Sequence, residues 1–210
     1  LIHGITGSGK TEVYMDLIDY TIEKGKSVIV LIPEIALTYQ TVMRFTRRFK
    51  EKVSIINSRL SSGERYDQFE RAKNGDVTIM IGPRSALFTP FSNLGLIVID
   101  EEHESAYKSE SVPKYHAIEV AQKRAYDTGA TVVLGSATPS LESYYKAKNG
   151  TYILHKLTTR EKGNLPSVSI VDLREELQQG NKSIFSNKLQ TLINDRLEKK
   201  EQTMPFINRR

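Results

Sequence analysis

Gly4-Ile5-Thr6-Gly7-Ser8-Gly9-Lys10-Thr11 fits the pattern G-x-x-x-x-G-K-[ST]. Its glycines let successive backbone amides converge on phosphate oxygens at a helix N-terminus, while a lysine and a hydroxyl complete the site. Lys10 is the residue for the β- and γ-phosphates of a nucleotide and Thr11 the residue for magnesium. About ninety residues downstream, Asp100-Glu101-Glu102-His103 follows the apolar run Leu96 to Ile99. A carboxylate leaving a buried strand at a sheet edge suits Asp100 to hold a hydrated magnesium ion, and Glu101 to polarise an attacking water. By itself the tetrad reads as a solvated loop; together with the glycine loop it reads as half of a nucleotide-hydrolysing site. Gly135-Ser136-Ala137-Thr138-Pro139 ends another apolar run and sets two hydroxyls beside the tetrad if the two strands are neighbours. The same residues also read as a helix cap with Pro139 at the first helical position.

These groups need a scaffold that delivers them to one edge. The stub Leu1-Ile2-His3 feeds the glycine loop as a strand, and Tyr14, Leu17, Ile18, Thr21 and Ile22 then recur at helical spacing until Lys24-Gly25. Ser27 to Ile32 is β-branched and apolar on both faces, as a buried parallel strand is, and it stops at Pro33. A second helix turns Thr38, Val42, Phe45 and Phe49 inward and leaves Arg44, Arg47, Arg48 and Lys50 outside. A third opens on the capping box Ser61-x-x-Glu64, turns Tyr66, Phe69 and Ala72 inward, and ends at Asn74-Gly75. Val77 to Ile81, Leu96 to Ile99 and Thr131 to Leu134 are further buried strands, the last preceded by a helical stretch with Ile118, Ala121 and Ala125. This alternation predicts an α/β fold: a doubly wound, mostly parallel sheet with helices on both faces and ligands at the carboxyl ends of the strands.

After residue 150 the rhythm changes. Tyr152 to Leu157 and Val168 to Val171 read as strands around a polar stretch, Thr158 to Pro166. Ser186 caps a helix bearing Leu189, Leu192, Ile193 and Leu197, and Thr203 to Ile207 reads as a strand in which Pro205 removes one ladder donor. The expected organisation is a complete unit over 1–157, a connector over 158–185 and the start of a second α/β unit over 186–210.

With 39% hydrophobic and 26% charged residues, the chain has the means to bury a core, which excludes disordered and fibrous classes. Its apolar runs fall far short of the ~20 residues that cross a bilayer, so a soluble protein with no membrane partner is expected, and the lack of cysteine fits a reducing compartment such as the expected cytoplasm. Thirty basic against 25 acidic residues leave +5, spread without a basic block, a balance that fits a polyanion partner without naming one. The absence of cysteine excludes disulfides and thiolate zinc sites within these residues. His3, His116 and His155 share no metal-ligand spacing.

A phosphate loop, an Asp-Glu-x-His box and a Ser-Ala-Thr box, in that order, resemble the first motor lobe of a superfamily 2 helicase. Pro33-Glu34-Ile35-Ala36-Leu37-Thr38 resembles motif Ia and Gly82-Pro83-Arg84-Ser85-Ala86-Leu87-Phe88 motif Ib. The run Gly4 to Tyr14, the stretch Ser105-Ala106-Tyr107-Lys108 to Tyr115-His116, and Asn208-Arg209-Arg210 are similar to the primosomal replication-restart helicases, the PriA family. The likeness covers nearly the whole chain.

The resemblance implies a RecA-like P-loop NTPase lobe of a 3′-to-5′ DNA helicase that uses ATP and Mg²⁺ on single strands and forks. Single-stranded-DNA-binding protein and primosome proteins are its implied partners, and zinc belongs to cysteines beyond an Asn-Arg-Arg stretch like Asn208 to Arg210. Gly4 to Thr11 bind ATP, Asp100 and Thr11 serve the metal, Glu101 activates water, and Ser136, Ala137 and Thr138 couple hydrolysis to movement. His103 links the ATP site to the coupling box, or simply caps its loop. Pro33, Glu34, Gly82, Arg84 and Ser85 lie toward the DNA strand. Tyr107, Lys108 and Tyr115 resemble the aromatic-rich loop that senses DNA, although both rings read equally well as packing aromatics. Pro83 and Asn57-Ser58 depart from the family pattern, the latter standing where relatives carry His-Ser. Two alternatives stay open: another superfamily 2 motor that moves along duplex, or a nucleic-acid-binding scaffold with a retired ATPase.

Overall fold

The structure, a computed structural model, describes residues 1–160 and 167–207. It divides into two compact units, Leu1–Gly163 and Asn164–Arg210. The Asn208-Arg209-Arg210 stretch lies outside the described residues.

The first unit holds strands β1 (Ile2–Gly4), β2 (Ser27–Leu31), β3 (Val53–Ile55), β4 (Ile79–Gly82), β5 (Leu94–Asp100), β6 (Thr131–Ser136) and β7 (His155–Leu157). They form one sheet in the order β3-β4-β2-β5-β6-β1-β7, with every pairing parallel. Parallel pairing needs a crossover after each strand, so all the strands end at one edge and all their following loops gather there. The helices are α1 (Lys10–Glu23), α2 (Tyr39–Phe49), α3 (Ser62–Asn74), α4 (Ala117–Thr128) and α5 (Leu141–Lys148).

The continuous apolar strands are explained by burial on both faces. Val28 and Val30 point to one side, against Tyr14, Met15 and Ile18 of α1 and Phe45 and Phe49 of α2. Ile29 and Leu31 point to the other, against Ala72 of α3, Ala117, Ile118 and Ala121 of α4 and Ala147 of α5. These four apolar residues of β2 are essentially inaccessible, each contributing about 1.5–3 kcal/mol of burial. Local signals set the helix ends: the Thr38 hydroxyl accepts from the Thr41 amide, both halves of the Ser61/Glu64 capping box form, and Gly75 closes α3 at φ 83°.

Several expectations need correction. Tyr66 is 62% exposed. Residues three apart drift by about 60° across a helix of 3.6 residues per turn, so 66, 69 and 72 cannot share one narrow face, and Phe69 and Ala72 take it. β4 starts two residues later than the apolar run suggests, and β3 is a three-residue edge strand that no periodicity announces. α5 is capped by Ser140, whose hydroxyl accepts from the Ser143 amide, so Pro139 precedes the cap instead of opening the helix.

The second unit carries α6 (Leu173–Gln178), inside the stretch expected to be a connector, and α7 (Asn187–Glu198), capped by Ser186 as expected. The carboxylate of Glu176 accepts from the Asn187 amide at 2.7 Å and from the Asn181 side chain at 2.6 Å, tying the two helices. The strands expected over Val168 to Val171 and Thr203 to Ile207 do not form. Val168, Ile170, Met204 and Phe206 are 85–97% exposed, and an extended segment with no neighbouring strand has no ladder to hold it. Among the described residues no helix is long and apolar enough to cross a membrane.

Candidate functional site

Strand order divides the loop edge of the first unit into two halves. β5, β6 and β1 carry the acidic tetrad, the Ser-Ala-Thr box and the glycine loop; β3, β4 and β2 carry Asn57-Ser58, Gly82 to Ser85 and Pro33-Glu34.

In the first half, β1 ends at Gly4 and α1 begins at Lys10. Gly7 and Gly9 sit at φ 80° and 86°, where a side chain would be strained, which lets the loop turn its amides inward. A Cβ on Gly4 would lie 2.5 Å from the Ser8 Oγ and 3.0 Å from Leu157 Cβ, so the loop needs glycine there for packing. Lys10 Nζ donates to the Gly4 carbonyl at 2.8 Å, folding back over its own loop. Ser8 Oγ is buried with no hydrogen-bond partner. An orphaned hydroxyl and a lysine within a glycine cradle fit a triphosphate, whose oxygens supply acceptors for both. The stem of Arg160 lies against Gly7, its Nε 3.2 Å from where a Cβ would stand.

Asp100 ends β5, and its Oδ1 accepts from the Tyr14 hydroxyl at 2.9 Å. Burial pushes the Asp100 carboxyl above its ordinary range, opposed by the Tyr14 hydrogen bond and the Lys10 charge and reinforced by Glu101. Burial, and then the Asp100 charge, push the Tyr14 hydroxyl upward, so it stays a donor. A bound cation would favour the ionised carboxylate, and Asp100 with Thr11 supplies the hard oxygen ligands that Mg²⁺ prefers. Glu101 adopts φ 47°, the left-handed region, at a cost of about 1–3 kcal/mol for a non-glycine residue. Glu101 Oε2 stands 3.7 Å from His103 Nδ1, which is 2.8 Å from Ser136 Oγ. His103 Nε2 lies 3.5 Å from Thr138 Oγ1, and Ser136 Oγ also accepts from the Thr138 amide across Ala137. His103 is thus in contact with both the acid and the hydroxyl box. Glu102 has a different job: it is 2% exposed and accepts from the Ser140 amide (2.7 Å) and from the hydroxyls of Ser140 (3.1 Å) and Ser143 (2.8 Å), anchoring the start of α5.

In the second half, Pro33, Glu34, Arg84, Ser85 and Tyr107 line one depression of about 340 Å³, together with Asn57, Ser58 and Arg65. Gly82 ends β4 beneath it, where a Cβ would lie 2.7 Å from the Ile56 carbonyl. Hydrogen bonds from the Ser58 side chain and from the Ser58 amide, the latter at 2.8 Å, hold the Glu34 carboxyl below the usual range, with Arg59 and Arg65 adding to the effect. Arg84 Nη1 donates to the carbonyls of Ala106 and Lys108, clamping the chain that follows the tetrad. Tyr107 does not offer a ring for stacking: it is 1% exposed, and its hydroxyl donates to the carbonyls of Asp100 (2.6 Å) and Leu31 (3.1 Å). Tyr115 is half-buried and packs edge-to-face on Phe88 with centroids 5.3 Å apart. Lys108 keeps an exposed side chain.

Sequence reasoning missed Tyr14, Arg124 and Arg65. Arg124 reaches from α4 to the carbonyls of Leu87 and Thr89, bracing the turn that begins at Arg84. Gly135, just before the Ser-Ala-Thr box, carried the signal for Tyr14: a Cβ there would fall 1.6 Å from the Tyr14 hydroxyl. Nothing in the spacing marks Arg65 or Arg124.

A parallel sheet with these loops at its edge is a doubly wound α/β architecture with its ligand site at the carboxyl ends of the strands. The chain is similar in fold to the Pyrococcus furiosus Hef helicase domain (TM-score 0.55, 22% identity, 75% of this chain and 34% of that one). It is likewise similar to RecG bound to a three-way DNA junction (TM-score 0.53, 23% identity, 75% and 20%). The family model for DEAD/DEAH box helicases matches residues 1–147, and the chain belongs to that family. Over all of its length it is 51% identical to the replication restart protein PriA of Bacillus subtilis (strain 168) and 50% identical to that of Synechocystis sp.. It spans 26% of the length of each of these two relatives.

Proposed function

We propose that this chain is the ATP-binding motor lobe of a DNA helicase that restarts replication, moving 3′-to-5′ along a single strand. The observation that carries the reading is the contact line from Glu101 through His103 to Ser136 and Thr138, set beside the glycine loop. A phosphate-binding protein with no work to couple has no use for that line. Identity to PriA proteins over the whole of this chain, which spans 26% of the Bacillus subtilis protein, supports the restart role, and the three-way DNA junction bound by RecG, a neighbour in fold, agrees with a nucleic-acid substrate. Single-stranded-DNA-binding protein and primosome proteins are the corresponding partners, and the cytoplasm the corresponding compartment.

Each residue has a defined task in this reading. The loop amides from Gly7 to Thr11 receive the phosphates, and Lys10 exchanges the Gly4 carbonyl for a phosphate oxygen. Thr11 and Asp100 would hold Mg²⁺, which when bound would supply positive charge to offset that of the phosphates. Tyr14 orients the Asp100 carboxylate, and Glu101 takes the proton of the attacking water. His103 moves with Glu101 and repositions the Ser136 and Thr138 hydroxyls. A complete motor also needs an arginine from a second lobe, worth about 10³ to 10⁵ in rate, so residues 1–210 alone hydrolyse ATP poorly.

The test is Glu101→Gln in the longer protein. ATP binding should persist while DNA-stimulated hydrolysis falls by about 10² to 10⁴. Absence of hydrolysis in the unsubstituted protein would show a scaffold with a retired ATPase, unchanged turnover in the variant would remove Glu101 as the base, and duplex translocation without strand displacement on a forked substrate would show a different motor.

A further inference from the structure

Arg65, in the first turn of α3, lines the same depression as Arg84. Its Nε is buried and makes no hydrogen bond. A buried guanidinium N–H without an acceptor is costly unless an acceptor arrives in another state of the molecule. The surrounding groups suit an anion: a second arginine, the Ser85 hydroxyl and the Asn57 amide line the same space. The one acid there, Glu34, accepts from the Ser58 side chain and amide, and it offsets part of the Arg65 charge without hydrogen-bonding its Nε.

We infer that Arg65 is a phosphate-gripping residue, which takes a backbone phosphodiester of the single strand in the depression it lines with Arg84. This rests on the proposed function, since it names a further contact on the face that reading gives to DNA. A planar guanidinium fork matches phosphate oxygens with two parallel hydrogen bonds, and Nε is one arm of that fork. The contact carries no base information, so it tightens binding equally for all sequences. It also gives a purpose to α3, whose capping box fixes the first turn and with it the root of the Arg65 side chain.

The experiment uses the longer protein and a fluorescently labelled oligo-dT strand, with affinity read by anisotropy over a series of KCl concentrations. Arg65→Gln should weaken binding about tenfold and reduce the slope of log K against log salt by about 0.7, the loss of one single-strand phosphate contact. Arg65→Lys keeps the charge and should restore the slope while recovering only part of the affinity. Weaker binding with an unchanged slope would assign Arg65 a packing role and overturn the inference, as would no change at all. If Arg65→Gln does not fold, Arg65→Lys decides: affinity equal to the wild type would remove the case for a forked contact. Wild-type protein that fails to bind the strand overturns the functional reading itself, and this inference with it.

Discussion

Glu102 and Glu101 are adjacent carboxylates with opposite duties, and substitution separates them. Glu102→Ala removes the acceptor for the Ser140 amide, the Ser140 hydroxyl and the Ser143 hydroxyl. A charge-assisted hydrogen bond is worth about 1.5–3 kcal/mol, but three bonds on one carboxylate do not add, and the hydroxyls can turn to one another. The Ser140 amide at the α5 cap cannot turn, and it is left without an acceptor. The expected loss is about 3 to 4 kcal/mol. For a unit of this size that amounts to a fall of roughly 6–16 °C in Tm. Glu102→Gln keeps the shape and one carbonyl acceptor, so it should lose only about 1 kcal/mol, the share owed to charge. Urea and thermal unfolding of the 210-residue chain give both numbers. Equal stability of the two variants, or a cost below about 1 kcal/mol for Glu102→Ala, would refute the anchoring role.

Two further predictions concern the same strand ends. Gly135→Ala places a methyl 1.6 Å from the Tyr14 hydroxyl and 2.7 Å from its Cζ, and Tyr14, 1% exposed, has no room to retreat. Overpacking of this kind costs about 1–3 kcal/mol, and denaturant melts should show that loss with the Tyr14–Asp100 bond broken in the variant's structure. Asp100→Asn should make the chain more stable at neutral pH while destroying magnesium-dependent nucleotide binding. Burial raises the folded-state pKa of Asp100 above its ordinary 3.8, so its contribution is fully present below that value and is lost as pH rises through the folded pKa. The advantage of Asn over Asp therefore grows with pH through that window and vanishes below it, which melts at several pH values will show or refute.

What was legible in the sequence follows from where each signal comes from. The phosphate loop, the tetrad and the hydroxyl box announce themselves because their chemistry requires fixed residue types at fixed spacing, and strands buried on both faces announce themselves by composition. Val168 to Val171 carries a similar composition, and Thr203 to Ile207 is apolar apart from Thr203 and the interrupting Pro205, yet neither forms a strand, because composition licenses a strand only where a neighbour completes the ladder. β3 illustrates the converse, three residues that pair because β4 lies beside them.

The sequence marks Tyr14 only as an inward position of a helix and Tyr107 only as a DNA-sensing or packing ring, and both are in the core. What sets them apart is the last atom of the side chain, which emerges from the apolar layer at the strand ends and finds Asp100 there, one at its carboxylate and the other at its carbonyl. Tyr107 also reaches the Leu31 carbonyl of β2, two residues before Pro33, so a single hydroxyl joins the ATP half of the edge to the other half. No residue spacing encodes that junction, since it exists only because β2 and β5 are neighbours in the sheet. An aspartate held between two buried phenols is fixed in position independently of any ligand. Displacement of the chain after the tetrad, where Arg84 grips Ala106 and Lys108, must therefore either break the Tyr107 bond or carry Asp100 with it.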